Sequence, residues 1–507
     1  MCVSNPAPLI IRADASRQIG TGHLMRGLAL ARGWQGIGGQ VIFAVATELG
    51  DLQGRLQAEG MTVHRLSSDP GSIEDGEETV NLAKMLRSTR LVVDGYHFDA
   101  RYQQQIKTAG FKLLVIDDCG DAGHYYADLV LNQNIYARES LYPHREPQTQ
   151  LLLGSRYVLL RPEFLAWRDW QREIPEVARK ILVTLGGSDP DNVTLKVIEA
   201  LQQVKVRDLE VVAIVGASNP HYEQLQGVVQ QSQLSISLKR NVMDMPELIA
   251  WADVAIAAGG STNWELAFMG LPTLIIVLAD NQKEIARELD KLGAAIDLGW
   301  HETLSTREIA SRCGSLAIAT TQRASLQQRT AKLIDGKGVE RLLLRLEPNL
   351  LKLRTVRPDE CQLLWQWAND FQVRQSSFSS DFISWNTHKK WFNDKLQSMN
   401  FFIFIGINGD REAIGQARFD IKDNRKAEID ISITSHKRGC GYGILLLKQA
   451  LNKIFTETFV KTVVAIIKSE NLASQKLFKK ANFIRIETEH PDRQVWEFQK
   501  VRIYESK

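Results

Sequence analysis

Cysteine is scarce and unpatterned in this chain. Cys2, Cys119, Cys313, Cys361 and Cys440 form no CxxC pair and no metal-ligand spacing. That argues against a disulfide framework and fits reduced thiols in a cytosol. No apolar run approaches the ~18 residues that a membrane-spanning helix needs. The stretch from Met1 to Ser16 lacks the basic start and apolar core of a secretory signal. Charge of one sign is missing too: a net charge of +3 gives no electrostatic case for nucleic acid or a membrane surface. Low-complexity segments and short-period repeats are absent. The expectation is a cytoplasmic chain. Its 507 residues correspond to roughly three domains, and a 44% hydrophobic composition gives each an ample core.

Strand-like runs alternate with helical stretches through the first two-thirds. Gln40–Val45, Leu91–Asp94, Leu113–Asp117, Lys180–Thr184, Glu210–Val215, Val254–Ala257 and Thr273–Val277 are such runs. Repeated β-α order implies parallel sheets covered on both faces. Pro162 to Arg179 reads as a crossover, after which Lys180 to Gly187 restarts the pattern of a first strand entering a glycine turn. An amphipathic helical pattern from Gln322 to Leu346 stops near Glu347-Pro348-Asn349. Beyond it, tryptophans cluster and strands alternate (Phe401–Ile407, Ala413–Asp420, Ala427–Thr434). The expected architecture is α/β: Rossmann-like domains over 8–165 and 175–345, then a separate α+β domain over 352–500.

Three turns carry the chemistry. Ile19-Gly20-Thr21-Gly22-His23-Leu24-Met25-Arg26 follows the apolar run Leu9 to Asp14. It places His23 in the first turn of a helix, at the carboxyl edge where open α/β sheets bind ligands. The positive helix end disfavours imidazolium and keeps the ring available as a base; the alternative is a glycine turn with a capping histidine. Ala257 to Ala267, centred on Gly259-Gly260-Ser261-Thr262-Asn263-Trp264-Glu265, ends a strand in small residues. Ser261 and Thr262 can cap a helix whose free N–H groups suit a diphosphate, and Glu265 can accept from ribose hydroxyls. The alternative is a capping box. In Gly186-Gly187-Ser188-Asp189-Pro190-Asp191 the acids mimic a metal-binding DxD. Their place between strand and helix favours N-cap and first-turn roles, so no metal is expected.

The second-half set continues through Gly270-Leu271-Pro272-Thr273, Asp280-Asn281-Gln282 and Leu292-Gly293-Ala294-Ala295. In that order it resembles the nucleotide-binding half of the UDP-GlcNAc transferase of peptidoglycan synthesis. The resemblance implies a glycosyltransferase-B-type arrangement of the two Rossmann-like domains, with UDP held mainly by the second. It brings Gly187, Ser188, Gly260, Ser261, Thr262, Glu265 and Gln282 to the nucleotide. With Arg12-Ala13-Asp14-Ala15-Ser16, Gly20, Gly22, His23, Arg26, Val93-Asp94 and Leu131-Asn132-Gln133-Asn134 added, residues 8–345 look like the UDP-2,4-diacetamido-2,4,6-trideoxy-β-L-altropyranose hydrolases of pseudaminic acid synthesis. That resemblance implies release of UDP and the free sugar, with His23 activating water. Asp14 either orients His23, contacts sugar or forms a turn. Asn132 and Asn134 either bind acetamido groups or bond their own loop; Asp94 and Asp117 share that ambiguity. Glycosyl transfer to an acceptor is the competing chemistry on the same fold.

In the last domain, Arg438-Gly439-Cys440-Gly441-Tyr442-Gly443 links an alternating strand to an apolar helix, a pattern that can cradle a pyrophosphate. With Asn471, Ser474 and Ala481-Asn482-Phe483 it resembles the GCN5-related N-acetyltransferases over about 352–500. Trp365, Trp367, His388 and Trp391 look like the sugar-amine branch. The resemblance implies acetyl-CoA as co-substrate, held by Arg438, Gly439, Gly441, Gly443, Asn471 and Ser474. It also implies acetylation of the 4-amino group of a UDP-4-amino-4,6-dideoxy-N-acetyl-β-L-altrosamine, the step before hydrolysis. Glu428, Asp430, His388 and His436 are candidate bases. Phe478 stands where many relatives carry a tyrosine acid, so the alternative is a module that binds CoA without much activity.

Overall fold

Most of the early strand runs are apolar and buried along nearly their whole length, the signature of parallel strands covered on both faces, while the two edge strands are more exposed. They form β1 (Leu9–Ala13), β2 (Val41–Val45), β3 (Thr62–Arg65), β4 (Arg90–Asp94), β5 (Lys112–Ile116), β6 (Leu129–Asn132) and β7 (Gln150–Leu153). These pair in the order β3-β2-β1-β4-β5-β6-β7, in parallel throughout. The computed structural model describes residues 6–16, 21–216, 219–240, 242, 244–347, 350–408, 411–423, 425–486 and 492–499.

A second parallel sheet comprises β8 (Lys180–Thr184), β9 (Glu210–Ile214), β10 (Ser235–Lys239), β11 (Val254–Ala258), β12 (Thr273–Val277) and β13 (Ile296–Trp300). Its order is β10-β9-β8-β11-β12-β13. In both sheets the order reverses beside the first strand, between β1 and β4 and between β8 and β11. Such switch points open a crevice at the carboxyl edge. The expected pair of Rossmann-like sheets is present, and both lie in one compact unit, Met1–Leu343.

Where a single amphipathic helix was expected over Gln322–Leu346, the structure has two, Thr320–Thr330 and Gly338–Leu346. Gly336 breaks the pattern with φ +70°, and Asp335 accepts from Lys337 N at 3.0 Å while pairing with Arg341. The break lets the second helix return to the first sheet's side of the unit. There, a Cβ on Gly338 would lie 2.1 Å from the Val158 carbonyl, and one on Gly33 would lie 2.4 Å from Val339 Cγ1. Glycine at both positions permits the close approach.

The other compact unit, Leu344–Lys507, is built on a mixed sheet. Its strands are β14 (Lys352–Thr355), β15 (Phe401–Ile407), β16 (Ala413–Asp423), β17 (Lys426–Ile433), β18 (Thr462–Lys468), β19 (Ile484–Ile486) and β20 (Arg493–Gln499). The order is β14-β15-β16-β17-β18-β20-β19. The apolar helix Tyr442–Glu457 packs Leu446, Leu447, Ala450 and Ile454 against one face. Leu364 and Phe392, from the helices Cys361–Ala368 and Trp385–Leu396, cover Ile403 and Ile405 on the other.

A charged cluster centred on Arg12 is buried beside the first sheet. Arg12 is 0% exposed; it donates to Asp75 at 2.9 and 2.7 Å and pairs with Asp14 at 2.6 Å. Its guanidinium also lies 5.2 Å over the Phe98 ring. Removing it strands two buried carboxylates, and breaking a buried pair typically costs about 3–5 kcal/mol. We therefore expect Arg12→Met to lower the denaturant midpoint of the first unit by that margin while the acetyltransferase-like unit unfolds as before. Domain-resolved urea titration checks both.

Candidate functional site

The parallel register pairs Ala13 with Asp94, which brings the ends of β1 and β4 side by side under the start of the helix Gly22–Gly36. His23 and Arg26, one turn apart on that helix, both reach the Asp94 carboxylate. His23 Nδ1 is 2.5 Å from Oδ1. Arg26 donates through Nε to Oδ2 and through Nη2 to Oδ1, each at 2.6 Å. Arg26 Nη1 then donates to both oxygens of Asp118 at 2.9 Å. Burial alone would raise the Asp94 pKa, but the facing Arg26 and His23 outweigh it and hold the carboxyl below its usual range. An ionised Asp94 accepts the Nδ1 proton, so Nε2 is the nitrogen left to take a proton from a reactant.

Asp14 is not the carboxylate that orients His23. It is 1% exposed and engaged by Arg12, by Ala46 N at 2.8 Å and by Thr47 N at 3.1 Å. His97 Nε2 lies 3.3 Å from its other oxygen. Burial pushes its pKa up, yet His97 and Arg12 hold it far below the ordinary range. Asn132 and Asn134 also serve the protein itself. The Asn132 amide donates to Asp118 O at 3.1 Å and Tyr142 Oη at 2.8 Å, and its oxygen accepts from Asn134 N at 3.0 Å. Asn134 Nδ2 donates to Asp118 Oδ1 at 2.8 Å. Both side chains hold Asp118 in place. Asp117 is a turn hub, accepting from Gly120 N, Tyr125 Oη and Tyr142 Oη.

The sequence reading passed over Asp118 and Tyr96. Tyr96 Oη donates to Asp118 Oδ2 at 3.3 Å, and its ring sits edge-on to His23 at 5.2 Å. Asn281, from the second half, donates to the same Oη at 3.2 Å. The only signal for either residue was position at a strand's carboxyl end, shared by many loop residues. His23, Arg26, Tyr96 and Asp118 line one small cavity.

Across the cleft, the histidine turn faces both glycine turns of the second half. A Cβ on Gly22 would lie 3.7 Å from Ser261 Oγ, and one on Gly187 would lie 3.9 Å from Thr21 Oγ1. Gly20 lies outside the described residues. Ser261 takes the N-cap position of Thr262–Phe268, but its side chain makes no capping bond. Glu265 forms no capping box; Arg161 donates to it at 2.8 and 3.1 Å. Gln282 is a brace: its Oε1 accepts from Gly259 N at 3.1 Å and Leu278 N at 3.0 Å. A Cβ on Gly259 would come within 2.8 Å of Gln282 Cβ. Beside Ser188, Asp189 caps the next helix by accepting from Val193 N at 2.8 Å and Thr194 N at 2.9 Å. Among the described residues no group of three His, Cys, Asp or Glu side chains is placed to hold a metal.

In the second unit, β17 and β18 pair in parallel only over Lys426–Glu428 with Thr462–Val464, then part. The divergence leaves one edge of Ile429–Ile433 without a strand partner. The turn after β17 carries Gly439 at φ +78° and Gly441 at φ +107° before the helix Tyr442–Glu457. Left-handed residues in such a turn are the backbone ingredient of an anion cradle. Gly443, inside the helix, sits near the Leu477 and Ile433 side chains. Arg438 is less available than expected. Its guanidinium donates to Asp370 at 2.6 Å, Gln372 at 2.7 Å and the Ile433 carbonyl at 2.9 Å. Asn471 caps the helix Leu472–Lys480, accepting from Ser474 N at 3.0 Å. Phe478 is core, its ring 4.9 Å from that of Phe483. Of the candidate bases, Asp430 pairs with Arg418 at 2.8 Å and His436 with Glu412 at 2.5 Å. Burial lowers the pKa of His388.

Comparison with known proteins follows the same division. Residues 181–333 match the model of the glycosyltransferase family 28 C-terminal domain, and residues 351–484 match the acetyltransferase (GNAT) domain. The chain thus carries a GNAT acetyltransferase domain. The spore coat polysaccharide biosynthesis protein SpsG of Bacillus subtilis is 27% identical over 66% of this chain and 97% of its own length. The UDP-2,4-diacetamido-2,4,6-trideoxy-β-L-altropyranose hydrolase of Campylobacter jejuni is 27% identical over 57% of this chain and 98% of its own. Among solved structures, MurG of Acinetobacter baumannii superposes with a TM-score of 0.50 at 15% identity, covering 68% of this chain and all of that one. That likeness supports the glycosyltransferase-B-type fold. No helix among the described residues is long and apolar enough to cross a membrane.

The depressed carboxyls predict the acid response. Asp94 and Asp14 titrate lower in the folded chain than the ~3.9 of an unfolded aspartate. Their stabilisation is therefore present above that value and is lost as pH falls through the folded pKa values. Asp94→Asn is expected to be less stable than wild type at neutral pH and to lose less on acidification below about pH 4. Urea midpoints measured against pH read the two slopes.

Proposed function

We propose that the first unit hydrolyses UDP-2,4-diacetamido-2,4,6-trideoxy-β-L-altropyranose and that the GNAT domain N-acetylates its 4-amino precursor with acetyl-CoA. The observation that carries the first half is the 2.5 Å contact between His23 and Asp94, made where Gly22 faces Ser261 across the cleft. The named hydrolase relative supports the same chemistry. Asp94 holds the Nδ1–H tautomer, and His23 Nε2 takes a proton from water. The water oxygen bonds to the anomeric carbon while the bond from that carbon to the diphosphate oxygen breaks, and UDP leaves with the electron pair. UDP is a good leaving group, so a positioned base and backbone N–H groups near the diphosphate meet the chemical need. Arg26 and Asp118 act through Asp94 as positioning residues.

In the second unit, the parted strands β17 and β18 and the left-handed glycines suit an acetyl-CoA molecule, whose thioester supplies the acetyl group. The sugar amine attacks the carbonyl carbon, the bond from that carbon to the CoA sulfur breaks, and the proton the amine gives up is the one that ends on the departing thiolate. The cradle rests on the backbone of Gly439 to Gly443, since Arg438 is tied to Asp370. With Phe478 in the core, water or Ser474 relays that proton to the thiolate.

The family 28 match favours a second reading, glycosyl transfer to an acceptor beside a CoA-binding module of regulatory or no activity. Acceptor-free assays separate the two: hydrolysis releases UDP at full rate, whereas transfer needs an added acceptor. In H₂¹⁸O the label is expected in the free sugar and not in UDP. We expect His23→Ala to lower UDP release by about 10²–10⁴-fold while still binding UDP; full activity overturns the assignment. Gly441→Val, which forces a branched side chain to φ +107°, is expected to abolish acetyl-CoA binding and acetylation but leave UDP release intact.

A further inference from the structure

We infer that Arg438 is a positioning residue for the amine acceptor and not a ligand of acetyl-CoA. The inference rests on the proposed acetylation of a 4-amino sugar nucleotide and assigns one residue of its glycine turn. Arg438 holds the short helix Phe371–Ser376 across the mouth of the gap between β17 and β18. Those strands run in parallel, so their carboxyl ends lie at one edge of the sheet. Arg438, in the turn after β17, donates to Asp370 at 2.6 Å and to Gln372 at 2.7 Å. Lys468, the last residue of β18, donates to the Gln375 carbonyl at 3.0 Å. The helix is tied near its start to one parted strand and near its end to the other. Just beyond it, Arg493 at the start of β20 lies 4.6 Å over the Phe378 ring.

Polar ties matter here because the helix has little else to hold it. It buries none of its own residues, and Phe371 and Phe382 are 72% and 69% exposed. A segment with few buried apolar contacts has low local stability, so its anchors decide where it sits. Asp370 joins anchor to helix: it accepts from Arg438 and caps the first turn by accepting from Val373 N at 3.1 Å. Burial raises its pKa, but the bonds from Arg438 and Val373 outweigh that and hold the carboxyl below its usual range. With Nε donating to the Ile433 carbonyl at 2.9 Å, every nitrogen of the guanidinium serves this junction. A diphosphate at Gly439 to Gly443 meets backbone N–H groups instead. The thioester lies in the gap, so an amine reaching it passes beside the helix. Displacing such a border by about 1 Å can cost 10²-fold in rate.

Three measurements on the full chain test this. In hydrogen exchange without ligands, Arg438→Ala is expected to speed exchange of the amides over 371–377 by about tenfold or more, with the helix Tyr442–Glu457 unchanged. Asp370→Asn is expected to do the same, and the double variant to add little, as for two partners of one contact. Calorimetry is expected to give Arg438→Ala the acetyl-CoA affinity of wild type. In acetylation assays the same variant is expected to raise the KM for the 4-amino sugar nucleotide by about tenfold and leave the KM for acetyl-CoA unchanged. Arg438→Lys, which keeps a cation for Asp370, is expected to recover part of that loss, and it serves as the test should Arg438→Ala fold poorly. Weaker acetyl-CoA binding with an unchanged amine KM, or unaltered exchange over 371–377, overturns the inference. Absence of acetylation by wild type refutes the proposed acceptor, while the exchange and calorimetry results still decide between helix anchor and acetyl-CoA ligand.

Discussion

The carboxylate of Asp94 is the point on which the first unit's site depends. It is fully buried, where an uncompensated charge would be neutralised. Arg26 keeps it ionised through two 2.6 Å bonds. Ionised, it dictates which nitrogen of His23 carries the proton. Arg26 is itself anchored by Asp118, and Asp118 by Asn134, the Asn132 loop and Tyr96. The chain of contacts ends at Asn281 in the second half. The orientation of one imidazole is therefore braced by contacts that run from one sheet to the other.

Both units place their open backbone where strand pairing is interrupted. In the two parallel sheets the interruption is the reversal of order at β1/β4 and β8/β11. In the mixed sheet it is the parting of β17 from β18 after Glu428. Each interruption leaves polar backbone groups facing a gap, and each gap is bordered by glycines. At Gly259 the reason is close approach by Gln282; at Gly441 it is a left-handed conformation.

The glycine turns, the strands and the succession of three sheets were legible because their signals are local. A strand of β-branched residues ending in glycine, followed by helical spacing, needs no distant partner to be recognised. Roles that depend on partners were harder to read. Asp14 and Asp94 are equivalent in sequence terms, each an acid closing an apolar strand. Only the register of β1 against β4 puts Asp94 under His23 and leaves Asp14 to Arg12. Asn132, Asn134 and Gln282 have the right chemistry for a ligand, and each also bonds nearby backbone or side chains. Arg438 sits at the cradle, but Asp370, distant in sequence, claims its guanidinium.

By itself the sequence determined which segments become strands, where glycine must permit a turn, and that His23 begins a helix at a sheet's carboxyl edge. Those outcomes follow from short-range sterics and from the period of apolar residues. Tertiary structure alone decided which carboxylate faces the imidazole and which amides bond the scaffold. Such pairings are set by strand register and by the approach of two halves of the chain. A few tenths of a nanometre there separate an ion pair from an orphan, and local pattern carries no record of that distance.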